Sequence, residues 1–247
     1  MSINSVLCHA LATSLVDLST ADAYLASHPD RALWEAVPGD DEDARNREKE
    51  NYLVAASRMI SRAPLAAPPL GRSLGWEPVQ ALNVPVQGHP FRVGTVAAYD
   101  AEGPTVPVST LIGVAVEELA GGALRLGDTG EVLGIVSVDG ATGTVALAQT
   151  PTAAPTNGTS VVLIERLAAG VIQAVCEQAI YLVGDPALHL LNDRERGVMS
   201  TTLGGAGGGS VNMDGPDVMG ELCFPARRLL ESAGLLRSAR SLDVGRG

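Results

Sequence analysis

One short stretch has the spacing of a catalytic serine motif. Gly71-Arg72-Ser73-Leu74-Gly75 fits the pattern Gly-x-Ser-x-Gly, in which a sharp turn between a strand and a helix exposes the serine as a nucleophile. Here Pro68-Pro69 precede the pattern and Pro78 follows it. Because proline is excluded from the interior of helices and central strands, neither flanking element can form. We therefore expect no catalytic role for Ser73.

The other candidate residues for chemistry are scattered along the chain. The glycine run from Gly204 to Ser210 resembles a phosphate-binding loop in composition only, because no Gly-Lys-Ser/Thr follows it. No histidine has a second histidine or a carboxylate at metal-ligand spacing, and the cysteines are odd in number and far apart, which predicts buried, reduced thiols. These residues are His9, His28, His89, His189, Cys8, Cys176 and Cys223. The sequence predicts no cofactor, no metal and no enzymatic activity.

Composition limits the classes of partner. The 247 residues are 46% hydrophobic but only 3% aromatic, and the net charge is −11. A chain this apolar can form a packed core. Each region is net acidic, which argues against a surface that grips duplex DNA by neutralising phosphates. No uninterrupted apolar run reaches the roughly 18 residues of a transmembrane helix, so no membrane partner is expected.

The elements that must position any site begin with the most apolar helical pattern in the chain. From Leu167 to Asp185, apolar residues recur every three or four positions and leave a narrow polar seam. A face this wide predicts packing against more than one partner helix. Gly184 followed by Pro186 marks the end of the helix. The seam consists of Gln173, Glu177 and Tyr181.

Three earlier helices are predicted. Residues 17–20 offer N-cap side chains for a helix over Ala21–Ser27, and Asp30 can cap a short helix that contains Leu33 and Trp34. An acidic turn then leads into a long helix over Glu42–Arg62, where acidic residues favour the positive helix N-terminus. This helix buries Tyr52, Leu53, Ala56, Met59 and Ile60.

The pattern changes after this helix. Residues 63–90 contain repeated prolines and are expected to be an extended linker. From about Val93 to Glu165, about five short Val/Ile/Leu runs separated by glycine turns predict a small β-barrel or β-sandwich. The clearest hairpin pairs Val132–Val138 with Thr144–Ala148.

The C-terminal part follows the apolar helix. Residues 197–213 predict an extended glycine-rich hairpin, Phe224–Gly234 a short helix with proline at its first position, and residues 235–247 a basic arm. The predicted fold is α+β, a helical bundle split by an inserted β domain. Its parts are residues 1–77 (bundle, first part), 78–166 (β domain), 167–236 (bundle, second part) and 237–247 (arm).

Short motifs at both ends of the chain resemble the head–tail connector, or adaptor, proteins of tailed bacteriophages. Their order and spacing carry the resemblance, which covers roughly residues 1–62 and 167–235; the β domain between them is a departure from the family. The matching segments are Ser19-Thr20-Ala21-Asp22-Ala23-Tyr24-Leu25, Leu33-Trp34, the helix from Lys49 to Ile60, the stretch from Val171 to Ala179 with its Cys176-Glu177, and Gly197-Val198-Met199-Ser200 with the glycine run.

The resemblance implies a structural protein of the virion neck, assembled in the host cytoplasm. About a dozen copies would form a closed ring beneath the portal protein. Head-to-tail contacts between identical subunits generate such rings when the rotation closes. The ring would extend the channel for double-stranded DNA and dock the next neck or tail component. An acidic lumen would let DNA pass without adhering. The β insertion would contact a neighbouring subunit or another neck protein.

Contact residues follow from the same resemblance. The arm would insert into the portal, where Arg237, Arg240 and Arg246 are the expected contacts. Inter-subunit contacts are expected at Gln173, Glu177, Tyr181, Gly205, Gly208, Arg227 and Arg228. Two alternatives stay open: a single-stranded nucleic-acid-binding protein that uses the small barrel, and a small hydrolase that uses Ser73.

Overall fold

The computed structural model describes residues 3–7, 9, 11–63, 82, 91–97, 99, 103–111, 116–184 and 222–236. In that part of the chain, five α-helices and a six-stranded sheet form a mixed α+β fold, which confirms the predicted class at this level. The helices are α1 (Leu18–Leu25), α2 (Arg31–Glu35), α3 (Glu42–Arg62), α4 (Ala169–Gly184) and α5 (Phe224–Ser232).

Capping explains where the first helices begin. Asp17 Oδ1 accepts a hydrogen bond from Thr20 N at 2.7 Å, so α1 starts three residues earlier than predicted. Asp41 does the same for Ala44 N at 2.7 Å, and α3 has the predicted bounds. Asp30 occupies the N-cap of α2, but its side chain makes no cap hydrogen bond. Its backbone (φ −93°, ψ 21°) is not in the extended region in which a capping side chain can accept from the N–H groups of the first turn.

Helix α4 lies at the centre of the helical part. Its main contacts are with α3 and α5, and it makes further contacts with α1 and α2. The predicted wide apolar face is present, since Val171, Ala174, Val175 and Ala179 are completely buried. The helix begins two residues later than the predicted range of Leu167 to Asp185 and is described as far as Gly184.

The strands form one curled antiparallel sheet, a half-barrel. Its order is β1-β6-β3-β4-β5-β2. The two outer strands approach each other at one end, where Val96 and Val108 form a single bridge. The strands are β1 (Phe91–Thr95), β2 (Thr105–Pro107), β3 (Ala123–Leu126), β4 (Val132–Asp139), β5 (Thr144–Leu147) and β6 (Ser160–Ile164), with a 3₁₀ turn at Ser109–Leu111.

The sheet refines the prediction of a small barrel or sandwich with about five strands. It has six strands in a single curled sheet, which is closer to the barrel than to the two packed sheets of a sandwich. A bulge between Ile135 and Ser137 explains the curl, because β4 pairs with β3 before the bulge and with β5 around and after it. The predicted hairpin of β4 and β5 is confirmed. Its turn ends at Gly143, whose φ of 71° favours glycine.

Strand alternation gives the sheet two apolar faces. Leu124, Leu133 and Leu163 point to one face and form a core inside the half-barrel with their neighbours. Ala123, Val132 and Ile164 point to the other face and belong to the core that the helices form. The half-barrel and the helices are therefore packed against each other through one side of the sheet.

Several predicted features lie outside the described residues. They include the Ser73 pattern, most of the proline-rich stretch, the glycine run and residues 237–247. The domain boundaries at 77, 166 and 236 remain predictions. Among the helices that the structure describes, none has the length and apolar content needed to cross a membrane.

Candidate functional site

The helical end of the molecule brings together side chains from four of the matched motifs. Asp22 of α1 accepts hydrogen bonds from Trp34 Nε1 at 2.7 Å and from Lys49 Nζ at 3.2 Å. The ammonium group also lies 5.2 Å from the centre of the Trp34 ring, within cation–π range. One carboxylate thus connects α1, α2 and α3. Trp34 itself is almost completely buried.

A second contact joins α1 to α4. Tyr24 Oη donates a hydrogen bond to Glu177 Oε1 at 2.6 Å, and His28 Nε2 lies 3.3 Å from the same carboxylate. Burial, reinforced by the hydrogen bond to Glu177 and its negative charge, raises the pKa of Tyr24. The phenol therefore keeps its proton and remains the donor. The side chains of His28 and Glu177 are each 13% exposed, so this contact is largely shielded from water.

The next residue, Gln178, has a structural role that the sequence analysis did not predict. Its side chain is completely buried, its Oε1 accepts a hydrogen bond from Cys223 N at 2.7 Å, and its Nε2 lies 3.6 Å from Met59 Sδ. Gln178 therefore holds the start of α5 against α4 and α3. The sequence did contain a signal for this contact: Gln178 lies inside an apolar helical stripe, and a buried glutamine needs hydrogen-bond partners.

A groove opens beside the Glu177 cluster. It has a volume of about 300 Å³ and lies between the α1–α2 turn, the last turn of α4 and the start of α5. Ile180 and Cys223 are its buried lining residues, while Leu33 and Tyr181 are 45% and 44% exposed. An apolar groove with exposed apolar sides is suited to receive a side chain or segment of a partner.

A basic aromatic patch lies next to this groove, on the outer face of α5. Phe224 is 73% exposed although it is a large apolar side chain. Arg227 and Arg228 follow one helical turn later, and together with Glu231 these residues line a shallow surface depression. Arg227 Nε lies 2.8 Å from Glu231 Oε1, whereas Arg228 is exposed and has no ion pair within the described residues.

The structure places the predicted contact residues unevenly. The seam residues Gln173, Glu177 and Tyr181 lie along one side of α4. Glu177 is hydrogen-bonded to Tyr24 within the chain, Gln173 is partly buried, and only Tyr181 of the three is exposed. Arg227 and Arg228 adjoin the groove that Tyr181 lines. Gly205, Gly208, Arg237, Arg240 and Arg246 lie outside the described residues.

The thiols near this surface are not poised for chemistry. Cys176 and Cys223 are free and buried, as predicted, and burial raises the pKa of both, to about 12 for Cys176. A thiol with so high a pKa stays protonated near neutral pH and is a poor nucleophile. Within the described residues, no group of three or more His, Cys, Asp or Glu is arranged to hold a metal ion.

Comparison with known proteins gives no relative: no protein-family model, no curated protein and no solved structure matches the chain.

Proposed function

We propose that the chain is a head-to-tail adaptor of a tailed bacteriophage. In this proposal, copies of the chain form a ring, with about twelve subunits, beneath the portal protein. The ring extends the channel for double-stranded DNA and docks the next neck or tail component. The proposal concerns a structural protein of the virion neck, without a cofactor and without enzymatic activity.

One observation carries the proposal. The segments that resemble the connector family are separate in sequence, yet their most distinctive side chains contact one another. Asp22, Trp34 and Lys49 come from three segments and meet at one carboxylate, and Tyr24 contacts Glu177 from a fourth. Chance matches to short motifs need not converge in space. Their convergence supports a reading in which the segments form one packed unit.

Charge supports the same proposal. The chain carries 28 acidic and 17 basic residues. A channel wall that repels phosphates lets DNA slide, whereas many Lys and Arg contacts would hold it. The arm residues Arg237, Arg240 and Arg246 are the proposed contacts to the portal, and the half-barrel is the proposed contact to a neighbouring subunit or another neck protein.

The single-stranded nucleic-acid-binding alternative has less support. Proteins of that class stack bases on aromatic side chains in a basic groove. Across the half-barrel, from residue 91 to residue 166, the sequence has only two aromatic residues, Phe91 and Tyr99, and only three basic ones, Arg92, Arg125 and Arg166. Tyr99 packs against the half-barrel core. Binding of oligonucleotides that weakens as salt is raised would nevertheless favour this alternative over the adaptor.

The arm provides a direct test. We expect the triple substitution Arg237→Ala, Arg240→Ala and Arg246→Ala to abolish co-migration with cognate portal rings in a density gradient, because it removes the cations that face the portal. The matched control replaces Arg45, Arg47 and Arg58, three exposed arginines of α3, and should still bind. Equal portal binding by both variants would contradict the proposed role of the arm.

A further inference from the structure

Phe224 is a large apolar side chain that is exposed in the described part of the chain. It begins α5, and neighbouring Ala226 and Leu230 make the helix's buried contacts. At 73% exposure, Phe224 is the most exposed large apolar residue in the described part of the chain. Isolated exposed apolar residues are common, but an exposed aromatic beside arginines has the composition of an interface anchor.

The groove next to it has the size and lining of a receptor for such an anchor. Its volume of about 300 Å³ is at the low end of the range for ligand sites, near the scale of one large side chain. Ile180 is 5% exposed at the base of the groove. Leu33 and Tyr181 give it partly exposed apolar sides that an aromatic ring can cover.

The charges of the two surfaces are opposite. Arg227 and Arg228 accompany Phe224, while Asp30 and Glu177 line the groove together with His28. Asp30 is exposed and has no ion pair among the described residues, as is also true of Arg228. An arginine that follows an inserted phenylalanine can therefore face an acidic group at the edge of the groove.

We propose that Phe224 of one copy inserts into the groove of a second copy, where Arg228 faces Asp30. The anchor and the groove are neighbours in each copy, because Cys223 and Pro225, on either side of Phe224, line the groove. A second copy of the chain thus provides both the aromatic side chain, Phe224, that fills the groove and the positive charge, Arg228, that faces Asp30 at its edge. The inference rests on the proposed function in one respect: it assigns this contact to neighbouring subunits of the ring.

The chain itself contains a competing occupant. Residues 185–221 join Gly184 to Leu222, and Gly184 and Cys223 both line the groove. Leu188 or a neighbouring apolar residue of this segment could fill the groove within one copy. The experiment must therefore distinguish an intermolecular contact from an intramolecular one.

Mixed cysteine cross-linking makes this distinction. Two single variants, Arg228→Cys and Asp30→Cys, keep the Phe224 anchor intact and are prepared in a Cys8→Ser, Cys223→Ala background that removes the thiol lining the groove. They are mixed and treated with a short bismaleimide, both alone and with portal rings. We expect covalent dimers in the mixture well above the level in either variant alone. The matched control replaces Arg228→Cys by Val136→Cys, at a residue that is 59% exposed on the sheet, and should give no excess of dimers.

The outcomes separate this inference from the proposed function. Portal-bound rings without the Arg228–Asp30 cross-link would overturn the inference and leave the adaptor function standing. The cross-link without any portal-bound ring would support the contact and contradict the adaptor function. An intramolecular cross-link in a Leu33→Cys, Leu188→Cys double variant, without dimers in the mixture, would assign the groove to the chain's own segment and overturn the inference.

A charge reversal provides a second measurement that does not depend on cysteine. Arg228→Asp should lower self-association at least several-fold by placing a carboxylate against Asp30, and the added substitution Asp30→Arg should restore it. Both residues are exposed, so neither change should unfold the protein. Unchanged association in Arg228→Asp, or no rescue by the double variant, would count against the proposed pairing.

Discussion

Asp22 is the residue on which the N-terminal helices depend most clearly. Its carboxylate accepts from Trp34 Nε1 and Lys49 Nζ, and Lys49 also lies over the Trp34 ring. The sequence analysis named all three residues, each within a different segment. It could not predict that they meet, because the contact depends on how α1, α2 and α3 cross. Spacing along the chain carries no information about that crossing.

The cluster makes a stability prediction. Asp22→Ala removes the acceptor of the Trp34 indole N–H and the counter-ion of Lys49. Because the Asp22 side chain is 45% exposed, water can replace part of these interactions, and we expect the free energy of unfolding to fall by about 0.5–1.5 kcal/mol. Urea denaturation followed by circular dichroism measures this change. Asp40→Ala is the matched control, since Asp40 is exposed, and its effect should stay within about 0.5 kcal/mol. A loss no larger than that of the control would show that the cluster is not structural.

At the scale of elements, local signals were sufficient for the helices. The acidic first turn and Asp41 cap fix the start of α3, and the wide apolar stripe of α4 gave its range within two residues. The strands were harder. Strand β1 was not identified as a separate run, because Gly94 interrupts its Val and Thr residues and its pairing partner, β6, is distant in sequence.

The run from Val106 to Val116 shows the same limitation. It is rich in Val, Leu and Ile along the sequence, but β2 ends at Pro107 and a 3₁₀ turn follows at Ser109–Leu111. Proline at position 107 lacks the N–H that would extend the ladder with β5. Periodicity located the β region, whereas the pairing and the bulge in β4 determined that the sheet curls into a half-barrel.

The link between α4 and α5 depends on Gln178. Gln178→Leu keeps a similar volume but leaves Cys223 N–H without its acceptor, so we expect a loss of about 1–3 kcal/mol in unfolding free energy. Hydrogen exchange of the amides of α5 should also become faster, because its start is no longer held.

Gln173→Leu is the control on the same helix. Gln173 is only partly buried, and its replacement should be close to neutral. If Gln178→Leu leaves both the unfolding free energy and the exchange of α5 unchanged, the hydrogen bond to Cys223 does not hold the helix in place.

At the scale of the whole molecule, the half-barrel and the helices form adjoining cores. Ala123, Val132 and Ile164 contribute to the helical core from the sheet. The helical end then presents the groove and the Phe224 patch next to each other. The sequence analysis named Tyr181, Arg227 and Arg228 in this region. It placed Leu33 and Phe224 in helices but did not predict that they are surface contacts, because exposure of an apolar residue is a property of the folded surface.

The adaptor function is a claim about assembly, so the most direct measurement is electron cryomicroscopy of the purified chain mixed with its cognate portal. The account predicts a ring of this chain, with the symmetry of the portal, bound coaxially to one end of it and continuing its channel. A chain that remains monomeric in the presence of the portal and adds no density to it would contradict the account.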